Sequence, residues 1–390
     1  MNDHIFQGLI SPVLFNPSYC IDRKKKTIRL IGCALAVLSF LLALAWTTHP
    51  AWPEGETPEL LTYLEKNLGF SKQEMNTIDT SVVVKQVYTS DHTREIAVAG
   101  IVRIQVPEDF FASQFRNIES FMQNDKVQQI GTFSKPPTPD DLAAFQLPPG
   151  DFQEIAKCKI GACKVKMPAR TFDHLEGITW SADDAAEQVT DIFRKSAANY
   201  LCRYLENGNS SLMVYADKEK PLALAEGLNM LLARDAYMYH YMPELHRYLK
   251  EFPRSEPPGV DDFLYWSVED FGKRPTTTIT HATIYKPTDE ANTGVTIALK
   301  QIYSSHYFQA RFQLMTLVDS SMGSNEPGIY LVYMDRLLFD EDLNWPSRKL
   351  ISKTVISHMK SWLTAIRNRL QDTYKNTKEK SRLPVSQPQP

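Results

Sequence analysis

An excess of charge of one sign is the first thing this 390-residue chain lacks. It has 43 Lys and Arg against 46 Asp and Glu, a formal net charge of −3, and a pI near 6.3. Without a basic field it has nothing to neutralise a run of phosphates, so nucleic acid is not an expected partner. Long hydrophobic runs are also scarce. A mean hydropathy of −0.32 excludes a polytopic membrane protein and leaves room for one apolar segment. The chain has no phosphate loop, dinucleotide fingerprint, EF-hand loop or G-x-S-x-G elbow, so no cofactor is expected and no enzyme class has a motif to rest on. What remains is ordinary globular material, 43% hydrophobic and 23% charged, enough to bury a sizeable core.

The one long apolar run extends from Ile28 to Trp46, behind Arg23, Lys24, Lys25 and Lys26. A spanning helix needs about 20 mostly apolar residues, and this run suffices if Arg29 snorkels to the headgroups. The basic cluster keeps its side cytoplasmic. The expectation is therefore a single-pass inner-membrane protein with its C-terminal bulk in the periplasm or another extracytoplasmic space. Ala43-Leu44-Ala45 resembles a cleavage site, so a removable signal peptide is the rival reading, and a buried core helix is the third.

Cysteine is scarce, with five in all. Cys158 and Cys163 flank a short turn containing Gly161, and in an oxidising compartment this spacing suits a disulfide across a hairpin. A metal site would need two more ligands, and no nearby His or Cys supplies them. Cys202 falls in a helical run and reads as a buried free thiol.

The expected organisation is a cytoplasmic segment 1–27, the membrane segment 28–46, a linker 47–60, strands and a helix over 61–133, a loop, Cys hairpin and helical insertion over 134–262, a sheet and long helix over 263–375, and a disordered tail 376–390. Ser71 and Glu74 form a capping box. Val82–Val87, Ile96–Val106 and Val127–Phe133 read as strands, with a helix opening at Pro107. The five prolines of Lys135–Gly150 mark a loop. Helices are expected over Ala182–Leu205, Leu222–Ala233 and Met242–Phe252, and Pro253–Asp262 reads as a linker. Five β-rich stretches then run from Phe263 to Phe339. In the final helix, from Pro346 to about Tyr374, Ile351, Val355, Met359, Trp362, Leu363, Ile366 and Leu370 make one apolar stripe.

This gives an α+β fold: an antiparallel sheet gripped by a long C-terminal helix. In that order of elements, and in the opening from Gly100 to Phe110, the chain resembles the START-like (SRPBCC, helix-grip) superfamily, from which the helical insertion departs. Through Tyr265-Trp266-Ser267 and Lys300–Tyr307 it also resembles a group of bacterial envelope proteins without an assigned activity. The START-like resemblance implies an apolar cavity between sheet and C-terminal helix that holds a lipid or other hydrophobic ligand.

Residues of 263–375 supply the candidate ligand contacts: Trp266, His281, Lys300, Tyr303, His306 and Trp362. His281 shares a strand face with Ile279 and Tyr285, as a core histidine or a pocket group. Lys300 shares its face with Ala298 and Ile302, where a charge must be paired or must meet a ligand. Arg311, between Gln309 and Gln313, suggests a solvated face. Tyr303, His306 and Tyr307 cluster where two strands turn. Ser304 and Ser305 lie beside that His306, but neighbours in sequence do not have the geometry of a catalytic triad. His240 and His246 lack zinc spacing and read as surface or helix-end residues. Ser357–Lys360 matches S-x-x-K without its partner motifs. The leading expectation is a membrane-tethered, non-catalytic protein that binds a hydrophobic ligand. The alternatives are a scaffold for an envelope protein partner, with the tyrosine-rich middle third as the interface, or a hydrolase or cyclase using the His281/His306 region.

Overall fold

The computed structural model describes residues 59–75, 77–78, 80–87, 93–288, 294–319 and 327–382, all within one compact unit spanning 56–390. The expected membrane segment 28–46 and its flanks lie outside these residues. Among the described residues no helix is long and apolar enough to cross a membrane.

In chain order the elements begin with α1 (Glu59–Lys66), α2 (Lys72–Met75), β1 (Val83–Gln86), β2 (Glu95–Ile104), α3 (Glu108–Arg116), α4 (Ile118–Phe121) and β3 (Val127–Thr132). The middle of the chain forms α5 (Pro149–Ile155), α6 (Ala169–Leu175), α7 (Ala185–Asn207), β4 (Val214–Tyr215), β5 (Leu222–Ala223), α8 (Leu224–Ala233), α9 (Ala236–Tyr241) and α10 (Pro243–Glu251). The last part forms β6 (Val260–Asp270), β7 (Pro275–Tyr285), β8 (Thr296–Ser304), β9 (Phe308–Asp319), β10 (Ile329–Phe339) and α11 (Trp345–Arg382).

The molecule is α+β. Eight strands make one sheet in the order β1-β2-β10-β9-β8-β7-β6-β3, and every neighbouring pair is antiparallel. Because side chains alternate along a strand, the sheet has two apolar faces. On one face Val98, Val102, Ile297, Leu299 and Leu331 pack beneath α3, α4 and α11. The stripe of α11 buries Met359, Leu363, Ile366 and Leu370 there. Gly100 permits the approach, since a Cβ at that position would sit 2.6 Å from Leu363 Cδ1. On the other face Ala99, Ile101, Leu264, Ala298, Phe312 and Val332 pack beneath α1, α7, α8 and α10.

The sheet is split near one end. Pairing of β8 with β9 covers only Thr296–Lys300 against Phe312–Thr316. Beyond it the insertion satisfies the β8 backbone: Tyr200 OH donates to Ile302 O (2.7 Å), and Ser304 N–H donates to Tyr215 OH (3.1 Å).

Several expectations hold. Ser71 and Glu74 form the reciprocal capping pair, at 2.7 and 3.2 Å. Cys158 and Cys163 form a disulfide with Cα atoms 4.5 Å apart, and Gly161 in the turn adopts φ +79°.

Others need correction. Residues 253–262 are not all linker, because β6 begins at Val260. The proline-rich segment holds a short 3-10 turn at Pro139–Leu142, and its last prolines start α5, where proline's fixed φ suits a helix N-terminus. The tail does not begin at 376: α11 continues to Arg382, since no Pro or Gly stops a helix that is already nucleated. Cys202 is half-buried and disulfide-bonded, not a buried free thiol. Arg311 is not solvated. Its guanidinium makes a two-pronged contact with Asp335 at 2.6 and 3.0 Å, so the neighbouring strand supplies the countercharge. His246 is buried at 8% exposure, with Nε2 3.2 Å from Leu232 O, whereas His240 is exposed as expected.

Candidate functional site

The β7–β8 register sets His281 directly opposite Lys300, and both are 1% exposed on the face covered by the insertion. Tyr204 OH lies 2.8 Å from His281 Nδ1, and His281 Nε2 lies 3.3 Å from Asp262 Oδ1. With the phenol as donor to Nδ1, the imidazole proton sits on Nε2 and faces the carboxylate. Tyr248 OH donates to the other oxygen of Asp262. Lys300 Nζ donates to Asn209 Oδ1 (2.9 Å), with Leu249 O at 3.5 Å. The rings of Tyr204 and Phe252 stand 5.2 and 5.0 Å from that ammonium.

Burial dominates the electrostatics of this cluster. It pushes Lys300 down to about 7, against the opposing pull of Asp262. It also lowers His281, again against Asp262. Burial would raise Asp262, but the nearby His281 and the hydrogen bond from Tyr248 outweigh it and leave its carboxyl at about 2. The two partners pull in opposite directions, and the burial of His281 decides between them: its imidazole is neutral near pH 7, and the hydroxyl of Tyr248 holds the Asp262 carboxylate.

The second group of predicted residues sits at the turn between β8 and β9. His306 is 5% exposed. Its Nε2 lies 2.8 Å from Asp151 Oδ1 in the first turn of α5, and its Nδ1 lies 3.0 Å from Lys164 O. Tyr303 OH donates to Lys166 O (3.1 Å). Lys166 Nζ pairs with Asp340 at 2.6 Å and also bonds Phe308 O. Ser304 Oγ–H donates to His306 O (2.7 Å), and Ser305 Oγ accepts from Thr277 N–H (3.0 Å). Neither serine hydroxyl is bonded to an imidazole. These contacts fasten the insertion to the split end of the sheet.

A cavity opens beside this fastening. Its volume is about 70 Å³, several times the roughly 10–15 Å³ that one water occupies. It is bounded by α6, α7 and the ends of β7 and β8, with Val165, Val189, Ile192, Phe193, Ile279 and Tyr303 among its walls. Two lining residues, Ser196 and Thr277, carry buried hydroxyls without a hydrogen-bond partner. Arg170, exposed on α6, is the one charged residue of its lining.

The six predicted contacts therefore do not converge. His281 and Lys300 meet in one buried network, while Tyr303 lines the cavity and His306 lies in the fastening next to it. Trp266 is core: it is 1% exposed, and its Nε1–H donates to Asp141 O (3.0 Å). Trp362 is on the opposite face, half-buried, with its ring 5.1 Å from Tyr333 and 6.1 Å from Phe121. Sequence reasoning missed Asp262, Tyr204 and Asn209 in the network and Arg170, Ser196 and Thr277 at the cavity. Tyr204 was visible only as part of an apolar stripe, and nothing local marks Arg170. No group of three or more His, Cys, Asp or Glu suited to a metal ion occurs among the described residues. In comparisons with known proteins, no family model, no curated protein and no solved structure matches this chain.

Proposed function

We propose that this chain is a non-catalytic binding protein for a small hydrophobic ligand. In this reading it is tethered by segment 28–46 and works outside the cytoplasm. The observation that carries the proposal is the cavity between α6, α7 and the split end of the sheet. Its walls are apolar, and two polar groups within it are left without partners. Ligand sites commonly combine apolar walls with a few placed polar groups. A buried hydroxyl without a partner costs free energy, which a ligand oxygen or nitrogen would recover. Each apolar CH₂ buried adds about 0.8 kcal/mol, so binding needs no reacting group.

The antiparallel sheet and long C-terminal helix support a START-like reading, but with the ligand moved to the face covered by the insertion. The Cys158–Cys163 disulfide supports the address, since such bonds persist in oxidising compartments.

Native mass spectrometry of the full chain, followed by organic extraction, tests the reading. A defined adduct is expected in the parent protein and should be lost in Ala197→Leu, which places a larger side chain in the cavity wall. An adduct-free parent that takes up nothing from a lipid mixture would reject ligand binding and move weight to a scaffold for an envelope partner.

A further inference from the structure

The cavity continues at Pro168, Arg170 and Met213 into a surface cleft that Arg203, Ser211 and Val214 complete. Two arginines therefore stand at its mouth, one on α6 and one on α7. Several other buried or half-buried arginines carry carboxylate partners: Arg194 pairs with Glu187 and Asp191, Arg311 with Asp335, and Arg336 with Glu95. Among the described residues, Arg170 and Arg203 have no ion pair and no side-chain hydrogen bond. Partial desolvation lowers the pKa of both against a small opposing pull from Tyr200, the charge of Arg170 lowers Arg203 further, and no carboxylate acts on either. Two guanidinium groups left to repel one another across a cleft form a site whose natural complement is an anion. Deeper in, Thr277 is 1% exposed and its hydroxyl is unpartnered, so the line from mouth to interior runs from positive charge, through apolar wall, to a free hydroxyl.

We propose that the ligand is an amphiphile with an anionic head group, its apolar end in the cavity and its head held between Arg170 and Arg203. The inference rests on the binding reading above and assigns the chemical class of the ligand. Carboxylate and phosphate heads share the chemistry that two arginines recognise, and the cavity admits a short apolar chain.

The test uses the full chain held in amphipol, which leaves no free detergent to compete, and follows binding by ligand-observed NMR. The probes are hexanoate, hexyl phosphate, hexanol and inorganic phosphate. At least one hexyl anion is expected to bind about tenfold or more tightly than hexanol, and the stronger of the two names the head. In the Arg170→Gln/Arg203→Gln variant the anions should bind no more tightly than hexanol, and hexanol binding that persists reports an intact cavity. Hexanol binding as well as both anions in the parent protein would overturn the head-group inference and leave the cavity reading standing. Failure of all three hexyl probes would overturn both. Inorganic phosphate binding as tightly as hexyl phosphate would also reject the inference, because the anion site would then work without the cavity.

Discussion

The two faces of the sheet are built on different chemistry. Beneath α11 the contacts are mostly aliphatic and aromatic, closed by the Gly100 approach and a stripe of Met359, Leu363, Ile366 and Leu370. Beneath the insertion the sheet carries more buried charge than the Arg311–Asp335 pair of the α11 face: Glu95 with Arg336 and Arg234, Lys300 with Asn209, His281 with Asp262, and Lys166 with Asp340. The first face is held mostly by area, around one paired arginine and aspartate. The second depends on each polar group keeping its partner, because an unpaired buried charge costs far more than an unfilled apolar contact. The cavity, with its two unpartnered hydroxyls, is on this more demanding face.

This contrast can be broken from either side. The largest effect is expected from Glu95→Gln on the insertion face. Glu95 is 0% exposed and accepts from Arg336 at 2.7 and 3.0 Å, and removing its charge strands a buried guanidinium at about 3–5 kcal/mol, to be read by chemical denaturation. Leu363→Ala on the α11 face should cost about 2–5 kcal/mol and leave hexanol binding unchanged. Lost binding there would mean that the two faces are not independent.

Lys300→Met is more evenly balanced. Removing the ammonium relieves its burial but leaves Asn209 Oδ1 without a donor, so the net change is expected to stay within about 3 kcal/mol. It should also remove a pH dependence. Lys300 lies at about 7 in the fold against an ordinary 10.5, so between those values the unfolded chain holds more protons, and stability rises with pH, by at most about 5 kcal/mol. Below pH 7 both states are charged and the contribution is flat. Denaturation midpoints measured from pH 6.5 to 9.5 should climb in the parent and climb less in Lys300→Met. Equal slopes would show that Lys300 is not the titrating group. The smallest effect is expected from Cys158→Ser/Cys163→Ser, about 2 kcal/mol from a loop this short.

Much of the architecture was legible. Alternation and β-branched runs located β6 to β10 to within a few residues, and the helical stripe of α11 identified its buried side. The discomfort of Lys300 between Ala298 and Ile302 correctly marked an inward charge. The same reasoning misplaced Arg311, because Gln309, Arg311 and Gln313 alternate like a solvated strand and the countercharge of Asp335 comes from a different strand. The site was less legible for the same reason. Asp262 meets His281 only through register, and Arg170 and Arg203 meet only once α6 and α7 pack. The cavity is a property of helices against a split sheet, and no local pattern encodes a gap.

The strand order also has a consequence for how the protein is made. Both outer strands of the sheet, β1 and β3, come from the first part of the folded chain, and β2 pairs with β10, from Glu95 against Leu338 to Ile104 against Ile329. Synthesis delivers β2 well before β10, with the whole helical insertion between them. Pairings so distant in sequence are slow to form because the loop must close before any contact rewards it. Until β10 emerges, β2 presents an unpaired edge, the feature that draws nascent chains into aggregation. The sheet is thus completed only once β10 has emerged, and the early strands depend on protection until then.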